Sequence, residues 1–493
     1  MTQLTALDAQ FLNIESATTA AHVAGVAILD ATGGAVTRQA LARLVTQRMH
    51  LSPALSQRLV EAPLGLDRPY WTEDTSFDVD QHVFETTLPA PGDDERLAEE
   101  VARLHARRLD RSRPLWEMHL IKGLTGGRVA VYTKVHHAAI DGVSGAETLA
   151  ALLDLSPEPR AVEPAERPRA TPPSPAEMLA RAAARTVKHP FRALRSLART
   201  AAELDAVPLV SALPGAGLVA QAVRQAAGGR RRVPPLPPLA APRTPFNGPI
   251  SGERQVAFGS VQLKDVKRVG RAFGLTVNDV VMALCASALR AWLRELAALP
   301  DRPLVAAVPV AVRTAGALER AGNQISAMVV PLATDVPGGV ERLRAVKRAM
   351  DTAKRRFALA PAGWPVEASE LLPPPLAALA MPALFRLASL GPAPVNLIVS
   401  NVPGPQFPLY LCGGRVLAYY PLSVVSDATG GLAITCLSYD GMLDFGLVAC
   451  PRRVPDVWRL MDHLHAAMAG FLALEETAGD EFRDGVGVDP VAG

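Results

Sequence analysis

Hydrophobic and polar positions along this chain form two patterned stretches separated by one without a pattern. Residues 1–155 alternate between short β-branched apolar runs and segments with apolar residues every three or four positions, as strands and amphipathic helices do. The run RVAVYTKV reads as a strand and ends at two histidines, His136 and His137. An S-x-x-E box at Ser144 and Glu147 then predicts the start of an apolar helix, GAETLAALLDL. From about residue 250 the alternation resumes. FGLTVNDVVMALCASALRAWL predicts a long core helix capped by Thr276, with Val277, Val280, Val281, Leu284, Ala288 and Trp292 at helical spacing. PDVWRLMDHLHAAMAGFLAL predicts a closing helix.

These patterns divide the chain into ordered parts at 1–155 and 246–474, a linker at 156–245, and an acidic tail at 475–493 expected to be disordered. The linker is rich in proline, alanine and arginine, and SPEPRAVEPAERPRATPPSPAEM cannot build a regular core. Inside it, Arg181, Arg185, Lys188, Arg192, Arg195 and Arg199 recur every three or four residues. Leu179, Val187, Phe191, Leu194 and Leu197 take the other side of the same helical winding, and Pro190 is expected to kink it. A cationic face opposite an apolar one, without acidic residues, suits an anionic membrane surface; an ordinary surface helix packed on the protein is the plainer alternative.

Composition narrows the partners. A net charge of +3 over 493 residues gives no reason to expect nucleic acid. Cys285, Cys412, Cys436 and Cys450 lie in apolar stretches without C-x-x-C spacing, so buried reduced thiols in a cytoplasmic protein are expected. MTQLTALDAQF lacks the basic and apolar regions of a signal peptide, and no apolar run reaches the length of a membrane span. The expectation is a cytoplasmic protein, soluble or lying on a membrane.

The candidate chemistry is the run His136, His137, then Asp141 and Gly142. Neighbouring strand residues point to opposite faces, so the two imidazoles cannot easily converge on one ion, and no metal is expected. A neutral imidazole, with an ordinary pKa near 6.5, is suited to accept a proton from a hydroxyl. The bland reading is two histidines closing a strand end and bonding carbonyls. Gly142, lacking Cβ, lets a long substrate approach the backbone. Asp141 is too acidic for a general base and more plausibly orients the turn through an ion pair, with Arg313 as the partner to test. Asp279 fits the first turn of the helix capped by Thr276. Trp116 serves equally as packing or as a cavity wall.

HH-x-x-x-D-G resembles the signature of the CoA-dependent acyltransferase superfamily. The opening LTALDAQFLNIES…HVAGVAIL, Pro114-Leu115-Trp116, Asn278-Asp279, PVAVR, GNQISAMVVPL and NLIVSNVPGP narrow the likeness to the bacterial wax ester synthase/diacylglycerol acyltransferase family, over residues 1 to about 470. The resemblance implies an α/β fold of two chloramphenicol-acetyltransferase-like domains, each a mixed sheet with flanking helices, and an active-site tunnel between them. It implies acyl-CoA-dependent O-acyl transfer to diacylglycerol or a long-chain alcohol, with acyl-CoA as substrate, no cofactor, and a membrane or lipid-droplet surface as partner. It makes His137 the base and places Asn278 and Asp279 at the active site. No G-x-S-x-G elbow is evident, which agrees with direct transfer. Two alternatives stand beside this: a condensation-type acyltransferase using carrier-protein thioesters, and a non-catalytic lipid-surface binding protein.

Overall fold

A computed structural model of the chain describes residues 2–140, 142–163, 174–187, 221, 222, 225, 241–311, 325–359, 372–390 and 393–484. In chain order its strands are β1 (Thr2–Gln3), β2 (His22–Asp30), β3 (Gln57–Val60), β4 (Tyr70–Glu73), β5 (Val83–Thr87), β6 (Trp116–Lys122), β7 (Arg128–His136) and β8 (Gln255–Gln262). They continue with β9 (Leu304–Ala311), β10 (Ile325–Leu332), β11 (Leu397–Pro403), β12 (Tyr410–Leu411), β13 (Gly414–Leu422), β14 (Leu432–Tyr439) and β15 (Met442–Ala449). The helices of the first half are α1 (Ala6–Asn13), α2 (Arg38–Arg48), α3 (Pro53–Ser56), α4 (Asp94–His105) and α5 (Gly142–Leu152). Those of the second are α6 (Leu263–Phe273), α7 (Val277–Glu295), α8 (Gly339–Leu359), α9 (Pro374–Leu390) and α10 (Val457–Asp484).

Two six-stranded mixed sheets form the frame, as the α/β reading requires. The first runs β12-β13-β2-β7-β6-β5 and the second β10-β9-β11-β14-β15-β8. On one face of the first sheet, Leu29, Trp116, Met118 and Val131 pack against Leu41, Leu44 and Val45 of α2. Its other face, with Val26, Ile28 and Tyr132, meets α4 and then Val256, Phe258, Ala433 and Val448 of the second sheet. One continuous apolar core therefore joins the halves. The remaining face of the second sheet is covered by α7, α8 and α10, and α7 is buried along most of its length because valine, leucine and alanine surround it.

The boundary drawn at 246 does not partition the sheets. Residues 410–422 belong by sequence to the second half, yet β13 pairs antiparallel with β2, Leu422 opposite Ala24. The fit is close: a Cβ on Gly25 would collide with the Tyr419 hydroxyl. Asp444 of β15, fully buried, accepts from Tyr419 N at 2.8 Å and from Ser260 Oγ at 2.6 Å, tying the donated strand back to its own half. At the start of the linker, Asp154 pairs with Tyr410 and forms a buried ion pair with Arg48 at 2.9 Å.

The tail also differs from expectation, because α10 runs on to Asp484 where disorder was expected from 475. Glu475 pairs with Arg268 at 2.7 Å and Leu474 packs over Gly339, so tertiary contacts extend a helix whose residues look merely polar. Residues 485–493 lie outside the described residues. Within the linker a helix spans 175–187, opened by a reciprocal cap in which Ser174 N donates to Glu177 Oε2 at 2.9 Å and Glu177 N to Ser174 Oγ at 3.3 Å. Met178 and Ala182 are its buried residues, whereas Leu179 and Val187 of the expected apolar face are exposed. Lys188, Pro190, Phe191, Arg192, Leu194, Arg195, Leu197 and Arg199 lie outside the described residues. No single helix among the described residues is long and apolar enough to cross a membrane.

Candidate active site

The strand period sorts β7. Val129, Val131 and Val135 enter the core shared with α2, while Ala130 and Tyr132 enter the core between the halves. Lys134 and His136 continue the second series and are fully buried. Lys134 Nζ is satisfied by Leu104 O at 3.2 Å, Arg107 O at 2.9 Å and Glu117 at 3.2 Å. These contacts compensate its buried charge, which still helps to disfavour protonation of His22 and His105.

His136 is clamped from both sides. Its Nδ1 accepts from Ala138 N at 3.0 Å, which assigns the ring proton to Nε2. That Nε2 lies 3.4 Å from Glu15 Oε1 without hydrogen-bond geometry, an electrostatic contact only. Burial works to raise the Glu15 carboxyl, but His136 and Arg111 together overcome it and hold it at about 2. Arg111 Nη2 reaches Glu15 Oε2 at 2.8 Å, and Ala21 N donates to Oε1 at 3.2 Å. His136 is therefore a fixed brace for the turn that follows.

That turn carries His137. The strand stops at His136, and His137 N–H donates to Ala21 O at 2.8 Å. The imidazole, only partly buried, lies flat on Phe11 of α1, ring centroids 4.0 Å apart and planes 7° apart. The two imidazoles take different partners, Glu15 for one and Phe11 for the other. Ala21 closes a loop that touches the other half, since Arg254 Nη2 donates to Thr18 O at 2.6 Å. His137 is thus anchored to a loop that also touches the second half. Two further histidines of the first half are held uncharged: burial drives His22 well below its usual pKa, and burial with nearby Arg254 brings His105 to about 3.

The expected cap at Ser144 fails. Helix α5 begins at Gly142, two residues earlier, so Ser144 sits in its first turn rather than before it. Asp141, Arg313 and the ion pair expected between them lie outside the described residues.

On the other half, Thr276 caps α7 as expected, with Thr276 N donating to Asp279 Oδ2 at 2.9 Å and Asp279 N to Thr276 Oγ1 at 3.2 Å. Asp279 is fully buried and faces Lys347 at 3.7 Å and Lys354 at 3.6 Å on α8. A carboxylate so enclosed holds the helix end and α8 together. Asn278, one residue before, is half-buried, and its Oδ1 accepts from Asn401 Nδ2 at 3.2 Å. Cys436 Sγ in turn lies 3.3 Å from Asn401 Oδ1. Asn401 thereby fixes which end of the Asn278 amide is turned toward it and which is presented elsewhere.

Of the two readings open for Trp116, the structure shows core packing. Its ring is wholly buried, its Nε1 donates to Leu55 O at 3.0 Å, and it stacks on His82 at 4.5 Å. Sequence reasoning missed Glu15, Phe11 and Asn401 as support for the site. All three lie inside stretches whose patterns drew notice, but nothing local reveals that Glu15 meets a strand end more than a hundred residues later.

A crevice of about 160 Å3 opens on the far side of α1. Ala6, Ala9, Gln10 and Asn13 line it from one face of the helix, the 61–69 loop and the helix over 175–187 flank it, and α9 closes it. Neither His137 nor Asn278 reaches it, whereas Phe11, on the opposite face of α1, touches His137.

Comparison with known proteins agrees with this frame. The wax ester synthase/diacylglycerol acyltransferase catalytic domain matches residues 4–281, and the C-terminal domain of the same group matches residues 321–471. A Mycobacterium tuberculosis protein named "Probable diacyglycerol O-acyltransferase" is 36% identical over 468 residues, covering 94% of this chain and 96% of that one. A solved wax ester synthase/diacylglycerol acyltransferase from Marinobacter aquaeolei VT8 superposes with a TM-score of 0.68 at 31% identity, over 97% of this chain and 100% of that one. The first condensation domain of the CDA synthetase, at 17% identity and TM-score 0.50 over 96% of each chain, shares the fold. These matches make the chain an acyltransferase. The chain belongs to the wax ester synthase/diacylglycerol acyltransferase family.

Proposed function

We propose that the chain moves a long-chain fatty acyl group from acyl-CoA to the hydroxyl of diacylglycerol, and to that of fatty alcohols, with no cofactor. The observation that carries this is the placement of His137, held on Phe11 and by Ala21 O of a loop whose Thr18 O accepts from Arg254 of the other half. In this reading the His137 imidazole takes the hydroxyl proton as the oxygen attacks the thioester carbonyl carbon. The C–S bond breaks, and the departing CoA sulfur recovers the proton as a thiol. Holding both substrates between two rigid sheets converts the encounter into an intramolecular step. Asn278, its amide oriented by Asn401, is the proposed donor to the developing oxyanion. His136 and Glu15 act through His137 by bracing its turn. A tunnel between the halves would bring the thioester and the acceptor from different ends.

The same reading places the protein in the cytoplasm, on the surface of a membrane or lipid droplet where such acceptors dissolve. The exposed Leu179 and Val187 beside exposed Arg181 support that part. The test is to incubate the purified chain with palmitoyl-CoA and either diacylglycerol or a long-chain alcohol, following thiol release. Release that depends on an acceptor supports the proposal; absence of release with both rejects it.

A further inference from the structure

Two buried ring nitrogens beside the histidine turn carry complementary chemistry and no bond. Strands β2 and β7 pair antiparallel with His22 opposite His136, and in the next register position His137 N–H donates to Ala21 O. An antiparallel ladder alternates bonded and unbonded pairs. His22 and His136 are therefore an unbonded pair, whose side chains share one face and stand closest. Both side chains are fully buried. His22 Nε2 meets His105 O at 2.9 Å, and because a carbonyl only accepts, the ring proton of His22 sits on Nε2. Burial, with His105 and Lys134 beside it, keeps that ring uncharged, so its Nδ1 is a bare lone pair. On His136 the proton also sits on Nε2, because Ala138 N fills Nδ1. Among the described residues neither His22 Nδ1 nor His136 Nε2 has a hydrogen-bond partner.

Glu15 supplies the third group. Its Oε1 accepts from Ala21 N, one residue before His22, at 3.2 Å, and lies 3.4 Å from His136 Nε2 without the geometry of a hydrogen bond. A carboxylate oxygen keeps a lone pair for one more donor. One donor and two acceptors in a buried place match a single water molecule, which gives two protons and takes one. A cation has nothing to accept the His136 proton, and a carbonyl has nothing to give His22 or Glu15. We propose that one ordered water bridges His22 Nδ1, His136 Nε2 and Glu15 Oε1, and that His22 acts through it as a positioning residue for His137. The water turns the loose Glu15–His136 contact into a bonded brace. His22 carries that brace onward through His105, whose Nδ1 lies 3.0 Å from the Tyr132 hydroxyl and whose Nε2 lies 3.4 Å from Ser423 O of the second half. Only the effect on turnover rests on the acyl-transfer reading.

The first test is a crystal structure of the wild-type chain at a resolution that orders buried solvent. Density for a water about 2.7–3.2 Å from all three atoms supports the proposal. Direct contact between the two rings, or no density between them, overturns it. His22→Leu removes both ring nitrogens, whereas His22→Gln keeps an NH2 for His105 O and an oxygen for a proton of the water. With circular dichroism matching wild type, His22→Leu should lose the water and about tenfold in kcat, with KM for palmitoyl-CoA unchanged. His22→Gln should keep the water and a kcat within about threefold of wild type. Equal losses in the two variants, or a change confined to KM, overturn the positioning role. If His22→Leu does not fold, a loss of about tenfold in His22→Gln with the water retained overturns it instead. If the wild type releases no thiol with any acceptor, the acyl-transfer reading fails, while the density still decides the water.

Discussion

Glu15 meets His136 inside the first half, Oε1 to Nε2 at 3.4 Å, while Arg111 grips the second carboxylate oxygen at 2.8 Å. The pair braces the turn on which His137 stands, so its chemistry is felt one residue away. Glu15→Gln keeps the shape and removes the charge. We expect kcat to fall about tenfold or more with KM for acyl-CoA nearly unchanged, since a displaced base costs turnover before binding. Steady-state kinetics on the variant decide this, and a change confined to KM would contradict the bracing role.

The same residue sets an acid limit. Its carboxyl is depressed from an ordinary 4.5 to about 2, so its ionised form stabilises the fold above pH 4.5 and that contribution is lost as pH falls toward 2. The amount is about 3 kcal/mol. Urea unfolding across this window should show a shallower loss for Glu15→Gln than for the wild type.

Asp444 has the opposite sign. Burial raises its carboxyl from 3.8 to about 6, against the bonds from Ser260 and Tyr419 that lower it. The protonated form is favoured in the fold, so stability present below pH 3.8 is lost as pH rises through 6. Asp444→Asn retains an oxygen for Tyr419 N and an amide for Ser260 Oγ. Relative to wild type, this variant should gain about 3 kcal/mol between pH 4 and 7, measured by denaturant midpoints; no change with pH would refute the assignment.

Asn401→Asp is the sharpest change near Asn278. A carboxylate cannot donate to Asn278 Oδ1, so the Asn278 amide should turn its NH2 end inward and lose its aim at the reacting carbonyl. We expect kcat to fall by about 10²-fold, as for removal of an oxyanion donor, with the thermal midpoint little changed. Asn278→Ala should match it. If Asn278→Ala stays fully active, the donor is elsewhere.

Trp116 separates packing from contact. Trp116→Ala should cost about 3–5 kcal/mol, while Trp116→Phe, which loses the bond to Leu55 O, should cost about 1 kcal/mol and leave KM for acyl-CoA unchanged. A raised KM in a fully stable Phe variant would restore a substrate role.

Much of this was legible in the residues. The strand ending at His136 and the helix capped by Thr276 are local events, written in β-branched runs and cap chemistry, and they appear where the pattern puts them. The α/β frame of two sheet domains came from the family resemblance those motifs carry. What the pattern hid is non-local. The donation of β13 to the first sheet depends on Tyr419 fitting over Gly25, a contact between residues far apart in the chain. Trp116 is as apolar in a cavity wall as in a core, and only its bond to Leu55 O distinguishes them. Ser144 misled because a cap motif also fits inside a first turn.

The central claim is tested most directly by His137→Ala. With palmitoyl-CoA and the better of the two acceptors, and with circular dichroism matching wild type, thiol release should fall by about 10²- to 10⁴-fold, the share a positioned base supplies. Release within a few-fold of wild type in that folded variant would contradict the account.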